Sequence, residues 1–316
     1  MLGFLMLLLL AGAILVAVFT AMLIRGLRYP PRKTAGVALA RGHAADPADL
    51  GLDAQPLDLS LAHGHTSPAW LLHGQAPQGP TVVVCHGFGD SRYGAMAAWA
   101  PRVLPHANAV LVYDNRGQGD ATAPAADGSL GEADDLRAVL GQLLDLHPPA
   151  TEHGIVLYGY SMGANTVLRA AAALHQHDDP APLHGLIADS PYRTWDGPVR
   201  RLFRHNHWPR WPIVPLAGLL LRMRSRWQDT ADVAARLPPG LPVLIISTAG
   251  DELVDPADPA AIADAARRAG CDAELLALPH GPHLSGYEID EPAYREALGR
   301  LFGKMSNAAN LRRPQP

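Results

Sequence analysis

The chain's apolar residues gather into short runs set between stretches with a helical repeat. Residues 81–85, 109–113, 154–158, 186–188, 242–246 and 273–278 are predominantly apolar without regular alternation, the pattern of strands buried on both faces of a parallel sheet. Residues 57–61 alternate instead, as a half-exposed strand does, and 69–72 follow as a hairpin partner. Between the runs, residues 131–146 put Leu136, Val139, Leu140, Leu143 and Leu144 on one helical face, with Glu132, Asp134 and Asp135 in the first turn. Residues 164–174, 260–269 and 292–302 read as further helices. Strands and helices alternate from about residue 52, which predicts an α/β architecture with a mostly parallel central sheet covered on both faces. The rhythm breaks over 192–236, where a cap inserted above the sheet is expected.

The first 24 residues carry no charge and are dominated by Leu, Ala, Val and Met. As a helix they would extend about 36 Å, enough for a hydrocarbon layer of about 30 Å. The rival reading is a cleaved signal peptide. Against it, no basic stretch opens the segment, the apolar run is long, and no small-x-small site ends it. Residues 1–24 are therefore expected to be a retained single-pass membrane anchor. Arg25, Arg28, Arg32 and Lys33 follow directly, and the positive-inside tendency puts the next domain in the cytoplasm. Residues 25–50, with Pro30-Pro31 and an Ala/Gly/Asp-rich stretch, read as a juxtamembrane linker. Residues 51–303 read as one α/β domain holding the 192–236 cap, and 304–316 as a C-terminal tail.

Composition narrows the chemistry. Of 316 residues, 48% are hydrophobic, ample for a large core. The two cysteines, Cys85 and Cys271, sit in separate contexts without zinc-ligand spacing and read as two independent thiols. Histidine pairs at His63/His65, His205/His207 and His280/His283 lack a companion cysteine or carboxylate pattern. No metal and no cofactor is expected.

In an open α/β sheet the site lies beyond the carboxyl ends of the strands. There the sequence puts His86-Gly87-Phe88-Gly89-Asp90, Asp114-Asn115-Arg116-Gly117-Gln118-Gly119, Gly159-Tyr160-Ser161-Met162-Gly163, Asp189-Ser190-Pro191-Tyr192, Gly250-Asp251-Glu252-Leu253-Val254 and His280-Gly281-Pro282-His283. The third is a G-x-S-x-G pentapeptide framed by a strand and a helix. A serine in so sharp a turn needs neighbours without bulk, and the helix N-terminus favours negative charge beside it. A serine hydroxyl is a poor nucleophile at neutral pH. It needs an imidazole to take its proton and a carboxylate to orient that imidazole. Asp251, Asp255 and Asp189 compete for the acid, and His283 and His280 for the base.

With these motifs in this order, residues 52–303 resemble the α/β-hydrolase superfamily, and look most like its membrane-anchored serine hydrolases with a small cap. The resemblance implies an α/β-hydrolase fold preceded by one transmembrane helix. It implies Ser161 as nucleophile, Asp251 as triad acid, and the backbone N–H groups of Phe88 and Met162 as the oxyanion hole. His283 is preferred as base, because Leu284-Ser285-Gly286-Tyr287 follows it as in relatives. Asp189, followed by Ser-Pro-Tyr, reads as part of a structural turn. His86 reads as a support of the oxyanion loop, and Asp114 and Arg116 as knitting the neighbouring loop together.

The expected cap holds Trp195, Trp208, Trp211 and Trp227, and between 193 and 226 eight arginines face one acid, Asp196. That local charge of +7 leaves −11 for the rest of a chain whose net charge is −4. Residues 215–221 add an apolar stretch. Two readings compete: a cap lying on an anionic membrane surface, or a solvated basic cap whose tryptophans line an acyl pocket. The expected activity is hydrolysis of small-molecule or lipid-like acyl esters or thioesters through an acyl-enzyme. A serine peptidase or amidase of the same fold is one alternative, and an inactive membrane-tethered scaffold another. No nucleic-acid partner is expected, since no aromatic platform or binding fold accompanies the basic patch.

Overall fold

The apolar runs become the interior of one eight-stranded sheet in a computed structural model of the chain, which describes residues 1–177, 181–224 and 227–312. The strands are β1 (Ala54–Ser60), β2 (Thr66–His73), β3 (Thr81–Cys85), β4 (Ala109–Tyr113), β5 (Ile155–Tyr160), β6 (Leu183–Asp189), β7 (Pro242–Thr248) and β8 (Asp272–Leu278). Their order is β1-β2-β4-β3-β5-β6-β7-β8. The β1–β2 and β2–β4 pairs are antiparallel, and every other neighbouring pair is parallel. The helices that frame the site are α1 (Leu2–Arg28), α2 (Leu130–Leu146), α3 (Met162–Gln176), α4 (Asp196–His205), α5 (Ile213–Arg224), α6 (Ala257–Arg268) and α7 (Glu291–Arg312).

Successive side chains of a strand point to opposite faces, and the central strands use both. Val83, Cys85, Leu111 and Leu157 join a core with Leu136 and Leu140 of α2, Val167 of α3 and Ile262 of α6. Val82, Val84, Val110 and Val156 join another with Met96, Trp99, Val103 and Tyr294, Leu298 and Leu301 of α7. Continuous rather than alternating apolarity is the consequence.

The sequence pattern did not predict the helical stretch between β3 and β4. Arg92–Gly94, a wide π-turn over Ala95–Trp99 and Ala100–Val103 run on from one another. Gly94 and Pro101 read as breakers. Pro101 has no N–H to give to Ala97, and the wider turn lies where a regular one would drive its ring against that carbonyl.

Helix α1 has 27 residues and is long and apolar enough to cross a membrane. It packs against α5, and the segment after it is tied to the domain. The Arg32 guanidinium donates to the carbonyls of Ala121 (2.5 Å) and Ala123 (2.6 Å). The Ala126 N–H donates to the Arg28 carbonyl at 2.8 Å. Residues 29–33, read as linker, thus act as a strap across the 119–126 loop. Of the features expected from sequence, Arg226 of the cap and 313–316 of the tail lie outside the described residues.

Candidate active site

Ser161 occupies the turn from β5 into α3 with φ 54° and ψ −118°, a conformation costly for a residue bearing a Cβ. The turn can be this tight because its flanks are glycine. A Cβ on Gly159 would collide with the Gly163 backbone, and one on Gly163 with the Cys85 carbonyl of β3. The Ser161 N–H is held by the Asp189 carbonyl at 2.8 Å, which leaves its hydroxyl facing the cavity.

That hydroxyl lies 2.9 Å from His283 Nε2, and His283 Nδ1 lies 2.7 Å from Asp251 Oδ2. Asp251 is buried beyond the end of β7, where its Oδ1 accepts the N–H groups of Leu253 (2.8 Å) and Val254 (2.7 Å). His283 comes from the loop after β8. Its own N–H donates to Glu252 at 3.0 Å, and the Thr248 hydroxyl donates to the adjacent Pro282 carbonyl at 3.0 Å. Strands β5, β7 and β8 therefore bring Ser161, Asp251 and His283 into one hydrogen-bonded line. The side chains of the competing residues make other contacts or face solvent. Asp255 is exposed and paired with Arg201, and His280 is exposed. Asp189 is buried, accepting the hydroxyls of Tyr294 at 2.8 Å and Ser190 at 3.1 Å. Burial raises its carboxyl above the usual carboxylate range.

Phe88 and Met162 both line the cavity beside Ser161. Met162 opens α3, so its N–H belongs to the first turn, which has no partner within the helix. Phe88 follows the short loop after β3, and that loop is well supported. His86 Nε2 accepts the Asn115 N–H at 2.9 Å, so the ring proton sits on Nδ1 and is donated to the Gly87 carbonyl at 2.8 Å. Gln118 Oε1 accepts the Gly89 N–H at 2.5 Å. Arg116 and Asp135 form a two-pronged pair at 2.6 and 2.7 Å, and Asp114 accepts the backbone N–H groups of Arg92 and Asp120 and pairs with the Arg92 guanidinium.

A family model described as the alpha/beta hydrolase fold matches residues 80–205. The Pyrococcus furiosus esterase Pf2001 superposes with a TM-score of 0.67 at 19% identity, covering 82% of this chain and 94% of the esterase. The chain has the α/β-hydrolase fold. A bacterial brefeldin A esterase, described as a homologue of human hormone sensitive lipase, superposes with a TM-score of 0.56 at 18% identity, covering 83% of this chain and 78% of its own. The uncharacterized protein YqkD of Bacillus subtilis is 27% identical over 233 residues, 72% of each chain.

Within this fold the cavity at Ser161 has a volume of about 730 Å³. Helices α4 and α5 lie over it, and the four tryptophans of residues 192–236 divide between its two sides. Trp195 and Trp227 line the cavity, whereas Trp208 and Trp211 are exposed. Two of the arginines are paired with acids outside that count: Arg193 meets Asp229 at 2.6 Å and Arg201 meets Asp255 at 3.2 Å, while Arg200 meets Asp196 within its own helix at 3.2 Å. The local sum of +7 therefore overstates the field this region presents. Three contributors had not been singled out from sequence. Leu27 and Arg28 of α1 and Lys33 of the strap line the cavity. Lys33 also pairs at 2.9 Å with Asp90, which accepts the Tyr160 hydroxyl at 2.7 Å. The basic run after the apolar segment was read only for membrane orientation. Its contact with a loop more than fifty residues on leaves no periodic trace.

Proposed function

We propose that this hydrolase cleaves acyl esters or thioesters through a covalent acyl-enzyme on Ser161. The observation that carries the reading is the line Ser161–His283–Asp251, with separations of 2.9 and 2.7 Å. In the proposed step His283 Nε2 takes the Ser161 proton as Oγ bonds to the acyl carbon. Asp251 holds the other ring nitrogen and stabilises the imidazolium. The carbonyl oxygen becomes an oxyanion facing the N–H groups of Phe88 and Met162, a type of contact worth about 3–4 kcal/mol per donor. The alcohol or thiol then leaves with the proton from His283, and water repeats the sequence to release the acid. The apolar wall of the cavity and the esterase activity named for two structural neighbours support an acyl substrate.

We also read α1 as a retained anchor. Its last turn supplies Leu27 and Arg28 to the cavity wall, so cleavage behind it would open the site. Hydrolysis of nitrophenyl acyl esters, compared with the matching anilides, tests the proposal. Esters should be cleaved well above the anilides, and Ser161→Ala should lower kcat/KM by about a thousandfold or more. Ester cleavage by Ser161→Ala at the wild-type rate would sink it.

A further inference from the structure

Helix α5 is mostly apolar on the side that faces away from the domain, its exposed Arg222 reaching to Asp196 at 4.0 Å. Pro215, Leu219 and Met223 recur there at four-residue spacing, with Leu219 57% and Met223 76% exposed, and Trp211 stands 79% exposed just before the helix. The opposite side is packed: Val214 and Ala217 are buried, and Leu221 reaches the cavity. A twelve-residue helix cannot leave such a face in water at no cost.

The neighbour of α5 indicates what covers that face. On α1 the residues at least partly covered are Val16, Thr20, Leu23, Ile24, Leu27 and Arg28, a stripe at three- and four-residue spacing, with Thr20 buried; α5 packs against this helix. A hydrocarbon layer of about 30 Å takes about twenty helical residues. Arg25 is the first charge in α1, so the twenty residues before it, 5–24, fill the layer. Thr20 lies within it, and the element packed on α1 at that level shares the depth. Leu27 of α1 and Leu221 of α5 both line the cavity that holds Ser161, with Arg28 and Lys33 beside them.

From this we infer that α5 is embedded in the same leaflet as the C-terminal end of α1, and that the acyl chain of a membrane-resident ester reaches Ser161 from the bilayer, between the two helices. The inference rests on the proposed serine hydrolase with α1 as its anchor. It names the substrate class, an acyl ester that resides in the membrane, and makes α1 a wall of the substrate route as well as a tether.

The test uses the full chain reconstituted in phosphatidylcholine vesicles. A Met223→Cys variant is labelled with an environment-sensitive fluorophore, the native thiols Cys85 and Cys271 being buried. Quenching by doxyl-labelled lipid and shielding from iodide are expected. Quenching by iodide alone, or by neither agent, as a covering protein surface would give, overturns the insertion. A second variant, Leu219→Lys/Met223→Lys, charges the outward face without touching the cavity wall. Its hydrolysis of nitrophenyl palmitate held in the vesicles should fall about tenfold or more, while nitrophenyl acetate in water is cleaved within about twofold of wild type. Equal effects on both esters overturn the lateral route even if α5 is inserted. Failure of the hydrolase reading looks different: wild type then cleaves neither ester, and the quenching result is unaffected.

Discussion

Asp251 illustrates how a single side chain can be fixed before any substrate arrives. Its Oδ1 is occupied by the N–H groups of Leu253 and Val254, so Oδ2 is directed at His283 Nδ1. Asp251→Asn keeps an oxygen for those two donors but can set an N–H against the imidazole, favouring the wrong tautomer. Ester turnover should fall by about a thousandfold or more, with the melting temperature close to wild type. A second residue makes a statement about pH. Glu132 is fully buried in the first turn of α2, where its carboxyl accepts the N–H groups of Asp127 at 2.7 Å and Ser129 at 2.9 Å. Burial nevertheless pushes its pKa up from 4.5 to about 7. The folded chain then holds a proton that the unfolded chain has released. Stability present below pH 4.5 is therefore lost as pH rises towards 7. Urea unfolding of wild type and Glu132→Gln should show the difference between them shifting by about 3 kcal/mol across that window, to the detriment of wild type. A difference that does not vary with pH would mean that Glu132 ionises as freely in the folded chain as in water.

At the scale of elements, the turn between β5 and α3 depends on its close approach to β3. A methyl group on Gly163 would enter the Cys85 carbonyl, and backbone cannot swing aside as a side chain can. Gly163→Ala should destabilise the fold by about 2 kcal/mol or more, seen as an earlier urea midpoint, and should displace Ser161 from His283. A midpoint equal to wild type would mean the turn has room the geometry denies it. This turn was legible in sequence because glycine spacing, an apolar run and a helical run each report local geometry. The parallel strands were legible for the same reason, since burial on both faces leaves an uninterrupted apolar signal. The π-turn before β4 was not, because Gly94 and Pro101 mimic a loop. Nor was the docking of α1. Residues 1–24 are apolar all round, so the stripe Val16–Thr20–Leu27 that meets the domain has no polar contrast to mark it.

Across the whole molecule, the candidate site is a product of topology. Ser161, Asp251 and His283 are brought together by β5, β7 and β8, which lie side by side with only β6 between the first and second. The loop after β3 that carries Phe88 is steadied by Asn115, whose N–H reaches its His86, and by Gln118, which accepts its Gly89 N–H. The strap adds a tie from the C-terminal end of α1, through Lys33 and Asp90 to Tyr160, the residue before the proposed nucleophile. What strand-end motifs could not reveal was this last arrangement, in which the apolar N-terminal helix ends in the cavity wall. The central claim remains that the assembled line makes one serine nucleophilic, and covalent capture tests it most directly. Full-length protein treated with a fluorophosphonate should gain a single adduct mass that peptide mapping assigns to Ser161. Ser161→Ala should gain none, and His283→Ala should react far more slowly. An adduct on another serine, or equal labelling of wild type and Ser161→Ala, would contradict the account.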